Sequence, residues 1–382
     1  MLSPHRYAAS LFLLAACQAG GDGETSRSTI RDSSGVTIVQ NSGADVALDW
    51  KLERVTTVGG TGSTVEMSQL TEYTVDADSL GHIFVIESWF GNRVQLIDTA
   101  GVLVRTLTRN GAGPGEIGQG VSVSASGDGV LSVMDFTKMG VVRLRFDGTV
   151  LPLLPLTGYD LFGGGRVTGD TVVFHTIDRS TKAYAEQLQY RTDADTATLA
   201  VHTPERLGWL PFCRDGMEGL TPMLAPELRW TARGSRAIVS RSAEYRVDEF
   251  QASRFVRSIR REVPRAAGNV HAVKRFFPEG KIIGSRDCVV PPAELVRKRG
   301  VAPVLQPIRR LAIDWEGRIW VERNTFPDEV SRVDVFDKAG HYTGTLSGFG
   351  APLGFPSQDL LLFALPDSTS DEPRLAIYRR VN

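Results

Sequence analysis

A unit of four short β-rich runs, recurring about every 40–50 residues, constrains this chain more than any other feature. Its clearest copy is residues 73–107, YTVDADSLGHIFVIESWFGNRVQLIDTAGVLVRTL. The runs lie at 72–76, 82–86, 93–98 and 103–107, parted by the turn signals Asp78-Ser79-Leu80-Gly81, Gly91-Asn92 and Thr99-Ala100-Gly101. Alternation such as Val94 and Leu96 against Gln95 gives each run one face to bury. The pattern predicts a four-stranded antiparallel meander. It returns at 120–154, with Gly127-Asp128-Gly129 and Phe146-Asp147-Gly148 as turns, and again at 308–346. Ile83-Phe84-Val85, Val130-Leu131-Ser132-Val133 and Arg318-Ile319-Trp320-Val321 then occupy one strand of the unit.

Two less regular units fill 160–201 and 227–261, and an incomplete one spans 359–380. Four strands per unit at this period define an all-β chain that closes into a β-propeller. The count gives six four-stranded antiparallel blades, with seven as the alternative. The last unit lacks an outer strand. Val55-Thr56-Thr57-Val58 is in phase with Val104-Arg105-Thr106-Leu107, so an N-terminal strand is expected to close the ring and remove the free sheet edges. Val36 to Gln40 reads as an extra strand laid against the ring.

The N-terminus is of another kind. Met1 to Tyr7 is weakly basic, Ala8 to Leu14 is apolar, and Ala15-Ala16 places small residues before Cys17, the pattern of a secretory signal. Leu14-Ala15-Ala16-Cys17 resembles a bacterial lipobox, which implies cleavage before Cys17, acylation of its thiol and anchoring without a membrane span. Gln18 stands where an Asp would signal inner-membrane retention in the lipoproteins this resembles. The resemblance therefore implies the outer membrane, facing the periplasm. The domain reading is a signal at 1–16, a flexible Gly/Ser-rich tether at 17–35, and a propeller at 36–382 with an insertion at about 266–304 that includes two short helices.

Asp-x-x-Gly-x-Ile-x-Val, then Asn92-Arg93-Val94 and an Asp-x-x-Gly turn, resembles the NHL-type repeat of six-bladed propellers. Gly35-Val36-Thr37-Ile38-Val39-Gln40-Asn41 ahead of such repeats is similar to a group of bacterial propeller lipoproteins. The likeness is good in blades one, two and five and fades elsewhere. Some lactonase-like propellers hold a metal in the central channel, so Asp76 and Asp314, near inner strands, are the weak candidate ligands for Ca²⁺ or Mg²⁺. No full ligand set assembles, and no cofactor is expected.

Other chemistry is thinly signalled. Six histidines are scattered, without His-Glu-x-x-His, and there is no Gly-x-Ser-x-Gly. Gly111-Ala112-Gly113-Pro114-Gly115 lacks the Lys-Ser/Thr of a phosphate cradle and reads as a connection between blades. Asp98, Asp147 and Asp337 fit turns in which the side chain caps its own backbone amides. Cys213 and Cys288 form an even pair, expected as a disulfide in an exported protein. Lys plus Arg total 43 and Asp plus Glu 44, so no overall field favours nucleic acid. Residues 229–310, however, carry 19 basic and 7 acidic side chains. Arg257, Arg260, Arg261, Arg265, Lys274, Arg275, Arg297, Lys298 and Arg299 form a candidate basic patch for an acidic protein or an anionic glycan. These features favour a binding or scaffold module over an enzyme.

Overall fold

In a computed structural model, residues 27–60, 62–87, 92–180, 185–205, 207, 209–213, 217–219, 221–283, 285–365 and 373–381 are described. They form a six-bladed β-propeller. A hairpin of β1 (Arg27–Ser33) and β2 (Val36–Ser42) precedes β3 (Lys51–Gly59). Blade one is β4 (Val75–Ala77), β5 (Ile83–Glu87), β6 (Arg93–Ile97) and β7 (Leu103–Thr106). Blade two is β8 (Gly120–Ala125), β9 (Val130–Asp135), β10 (Gly140–Arg145) and β11 (Val150–Pro155). Blade three is β12 (Leu161–Thr168), β13 (Thr171–Asp178), β14 (Ala185–Arg191) and β15 (Thr196–His202). The short pair β16 (Trp209–Pro211) and β17 (Met217–Gly219) follows. Blade four is β18 (Arg229–Arg233), β19 (Arg236–Ser240), β20 (Arg246–Gln251) and β21 (Arg254–Arg261).

The insertion then contributes α1 (Val270–Phe276), β22 (Lys281–Ile283), β23 (Ser285–Val290) and α2 (Pro292–Arg299). Blade five is β24 (Ile308–Ile313), β25 (Ile319–Arg323), β26 (Arg332–Phe336) and β27 (Tyr342–Ser347). Blade six is β28 (Leu360–Leu365), β29 (Arg374–Val381) and β3. Its inner strand is reduced to a bridge between Gly354 and Leu362. The N-terminal closure is as expected, with Val58 opposite Leu375 and Thr56 opposite Ile377.

Six apolar clusters lie at the six interfaces between neighbouring blades. Phe84 and Ile86 of β5 face blade two, while Ile83 and Val85 of the same strand face blade six. This changes the meaning of the alternation. Blade strands bury both faces, so Gln95 is as buried as Val94; its side-chain amide donates to the Glu66 carbonyl and accepts from the Glu66 amide. The other interfaces follow the same rule, with Trp320 and Phe363 between blades five and six and Trp230 and Leu188 between three and four.

The tether is shorter than expected among the described residues. Arg27 to Ser33 pairs antiparallel with β2, turned by Ser34 and Gly35, both at positive φ, with Asp32 Oδ1 accepting from the Gly35 amide. A two-residue turn of this hand suits the twist of a hairpin. β2 pairs in parallel with β21, extending blade four to six strands. Residues 43–50 then cross blade five, where Ala47 bridges Thr345, before entering blade six as β3. The N-terminal segment is thus a belt over three consecutive blades.

Candidate functional site

Antiparallel meanders send their first and third turns to one end of the ring, and their second loops and the blade connections to the other. In blades one and five the first end is built from Asp-x-x-Gly turns. Asp78, Asp98, Asp314 and Asp337 each accept, through Oδ1, the amides two and four residues on. The glycine three residues on has φ between 79° and 96° in every case, a conformation that glycine adopts without strain. Asp147 caps the Thr149 amide in the same way, as expected. His82 Nδ1, Arg318 Nε and His341 Nδ1 return to the second oxygen of Asp78, Asp314 and Asp337 at 2.7, 2.6 and 3.1 Å.

Asp314 is therefore committed to its own turn, where it also accepts from Trp320 Nε1 at 3.0 Å. Asp76 accepts from the Ala77 and Ala125 amides, both at 2.9 Å, and lies 3.6 Å from Arg166. The channel around it leaves about 30 Å³, space for one or two waters. Glu72 there pairs with Arg310 at 3.3 Å, and Arg233 stacks 3.9 Å from the Trp315 ring while donating to the Ile313 carbonyl. Burial holds the Arg233 guanidinium below its usual pKa. Among the described residues no group of three or more His, Cys, Asp and Glu is placed to hold a metal ion. The two candidate ligands are not brought together as a pair facing open space.

The opposite end carries the connections and the insertion. The loop at 107–119 joins β7 to β8, and Lys138 Nζ fastens it by donating to the Gly113 and Glu116 carbonyls. Cys213 and Cys288 are bonded, with Cα atoms 5.9 Å apart, tying the connection after blade three to the insertion. Cys288 belongs to a small core with Met223, Val273, Ile283, Val290 and Leu295. Asn269 Oδ1 caps α1 at the Ala272 amide. Cys17 lies outside the described residues.

The nine residues of the candidate basic patch do not make one face. Arg261 is buried against Asp334 and Asp45, both at 2.8 Å, with its guanidinium 3.7 Å from the Tyr342 ring. Arg299 is buried too, donating to the Thr221 carbonyl. Arg257 pairs with Glu249, Arg275 with Asp328 and Glu329, and Lys298 and Arg297 with Glu294. Arg260 lies on β21, while Arg265 and Lys274 are exposed on the insertion side. Carboxylates outside the segment absorb Arg261 and Arg275, while Glu249 and Glu294 within it absorb Arg257, Arg297 and Lys298.

Sequence reading missed the network beneath Arg261. Asp334 is fully buried in β26 and accepts from Tyr245 Oη at 2.6 Å, Thr345 Oγ1 at 2.7 Å and Arg323 at 2.8 and 2.9 Å. Asp45, on the belt, is held by Arg261, Arg323 and Arg332. Burial raises the Asp45 pKa, but the two guanidiniums of Arg323 and Arg261 outweigh it and hold the carboxyl below its usual range. Burial and Asp334 push the Tyr245 phenol well above its usual pKa. The one legible signal was an acid inside an apolar strand, Val333-Asp334-Val335.

Two clefts flank the 324–331 loop between β25 and β26. The outer one, about 620 Å³, includes Val263, Arg265, Leu305, Arg323 and Arg332. The inner one, about 450 Å³, includes Arg229, Phe276, Phe277 and Arg309. Gln306, Asn324, Thr325, Phe326 and Glu329 border both. Both are of the size that small ligands or peptide side chains occupy.

No family model and no curated protein matches the sequence. Solved structures do match in shape. A protein described as exported, from Bacteroides fragilis, has a TM-score of 0.50 at 11% identity, covering 90% of this chain and 100% of its own. A DUF4221 family member from Bacteroides vulgatus gives 0.47 at 7% identity over 87% and 99%, and a gluconolactonase from Xanthomonas campestris 0.40 at 13% over 89% and 98%. At 11% identity the first of these likenesses shows shared fold alone, in keeping with the six-bladed β-propeller described above.

Proposed function

We propose that the protein is a lipid-anchored β-propeller of the bacterial cell envelope, held through Cys17 in the outer membrane facing the periplasm. It works as a binding or scaffold module for a protein or anionic glycan partner, through the end of the ring that carries the insertion. The observation that carries this reading is where the room lies. Around Asp76 the channel is lined by ion-paired side chains and leaves about 30 Å³, whereas the insertion end has clefts of about 620 and 450 Å³. A rigid ring with one elaborated end suits recognition, with specificity set by loops on a fixed scaffold.

The rival reading, a lactonase-like enzyme with a divalent metal, requires several free carboxylates converging in the channel. Glu72 and Asp76 are instead ion-paired with Arg310 and Arg166. Among the described residues no helix is long and apolar enough to cross a membrane. Labelled palmitate should enter the wild type and not Cys17→Ser; incorporation by the variant would overturn the anchor. Cross-linking in the native envelope followed by mass spectrometry tests the module, and recovery of the protein without any reproducible partner would count against it.

A further inference from the structure

The two clefts and the loop between them form one path, from the outside of the ring toward its axis. Val263 follows β21, the outer strand of blade four, and Arg332 opens β26, whereas Arg229 opens β18 and Arg309 lies in β24, both inner strands. The ridge is clamped to the insertion, with Phe326 5.2 Å from the Phe276 ring and 3.7 Å from the Arg275 guanidinium. Arg275 also pairs with Asp328 and Glu329 at 2.6 and 3.0 Å. The ridge is therefore fixed rather than a loose lid.

Charge along this path is uneven. Arg265, Arg323 and Arg332 line the outer cleft with Asp328 and Glu329, and behind this lining Arg261, Arg323 and Arg332 share the carboxylates of Asp45 and Asp334, so cations exceed anions by one on each count. Arg332 keeps half of its side-chain surface exposed. Arg265 is exposed beside it. The ridge opposes this with two acids held by one arginine. A polyanion would meet repulsion at the ridge. A ligand with a single anionic end would not. Leu305, Val263, Pro264 and Pro307 give that end apolar walls, and the inner cleft adds Phe276 and Phe277.

We propose that this path binds the C-terminal segment of a polypeptide with apolar last residues, its free α-carboxylate held by Arg265 and Arg332 in the outer cleft. The preceding residues cross the ridge, where the Thr325 hydroxyl and Asn324 Oδ1 can meet peptide N–H groups while Asn324 Nδ2 stays on the Gln306 carbonyl, and place an apolar side chain in the inner cleft. An acyl chain would gain nothing from that polar crossing. The proposal rests on the binding-module reading and names the site and the ligand chemistry for it. An arginine hydrogen bond to a carboxylate gives the free acid its advantage over the amide.

The test is fluorescence anisotropy with a fluorescein-labelled hexapeptide ending Phe-Leu-Leu, prepared as the free acid and as the C-terminal amide. The free acid should bind about tenfold more tightly, as expected for a charge-assisted hydrogen bond. The free-acid preference should shrink in Arg265→Ala and vanish in Arg265→Ala/Arg332→Ala, with the thermal melt of the single variant unchanged. Equal binding of acid and amide to the wild type, or no binding at millimolar peptide, overturns the proposal. So does displacement of the peptide by laurate or trigalacturonate at lower concentration than by unlabelled peptide. In envelope cross-linking, a partner kept by the double variant overturns this site alone, whereas absence of any partner from the wild type overturns the module itself.

Discussion

Asn41 shows how one side chain can join three parts of a chain. It is fully buried, donates through Nδ2 to the carbonyls of Arg260 and Gly340, and accepts through Oδ1 from Ser28 Oγ and the Tyr342 amide. Belt, blade four and blade five meet there. Asn41→Leu leaves buried donors and acceptors unpaired and should cost about 2–3 kcal/mol in urea unfolding, whereas Gln40→Leu beside it should cost under about 1. His175 offers a pH test. Burial, then the charge of His202, lowers its pKa from 6.5 to about 4. The unfolded chain binds the proton more readily, so this contribution is complete above pH 6.5 and is lost as pH falls toward 4. The loss amounts to about 3 kcal/mol, and His175→Gln should flatten that part of the stability profile. Neither role could be read locally, because the groups that define it lie in distant strands.

At the scale of elements, the insertion depends on its crosslink. The disulfide spans a sequence separation of 75 residues, and its small core has six buried members among the described residues. Cys213→Ser/Cys288→Ser should lower stability by about 2–4 kcal/mol. Limited proteolysis should then cut first within 203–228 or 266–304, while the blades persist; cleavage spread evenly over the blades would count against a local role. Legibility also varied by element. Blades one and five declared themselves because Asp-x-x-Gly turns have a sequence signature. Blades three and four turn instead at Thr168-Gly169-Asp170-Thr171 and Arg233-Gly234-Ser235-Arg236, tight hairpins with little to distinguish them. The two helices of the insertion were legible from composition, but its clefts were not, since they arise from packing against a blade 50 residues on.

For the whole molecule, stability resides in six interfaces rather than one core. Val58 is 4% exposed between blades six and one, whereas Val55 in the same strand is 43% exposed. Val58→Ala should cost about 2 kcal/mol and shift a single cooperative transition, and Val55→Ala should change little. A biphasic transition would mean that the blades unfold separately. The ring and its closing strand were legible because a period of four strands admits few other closures; the double-sided burial was not, because alternation alone does not say what lies on the second face. The closing pair Val58 and Leu375 also sets a timetable. Blade six cannot form until the ribosome has made residues 360–381, so β3 must wait unpaired while the other five blades emerge. A ring built this way stays open until that segment is made, and its latch is the last part to be fastened.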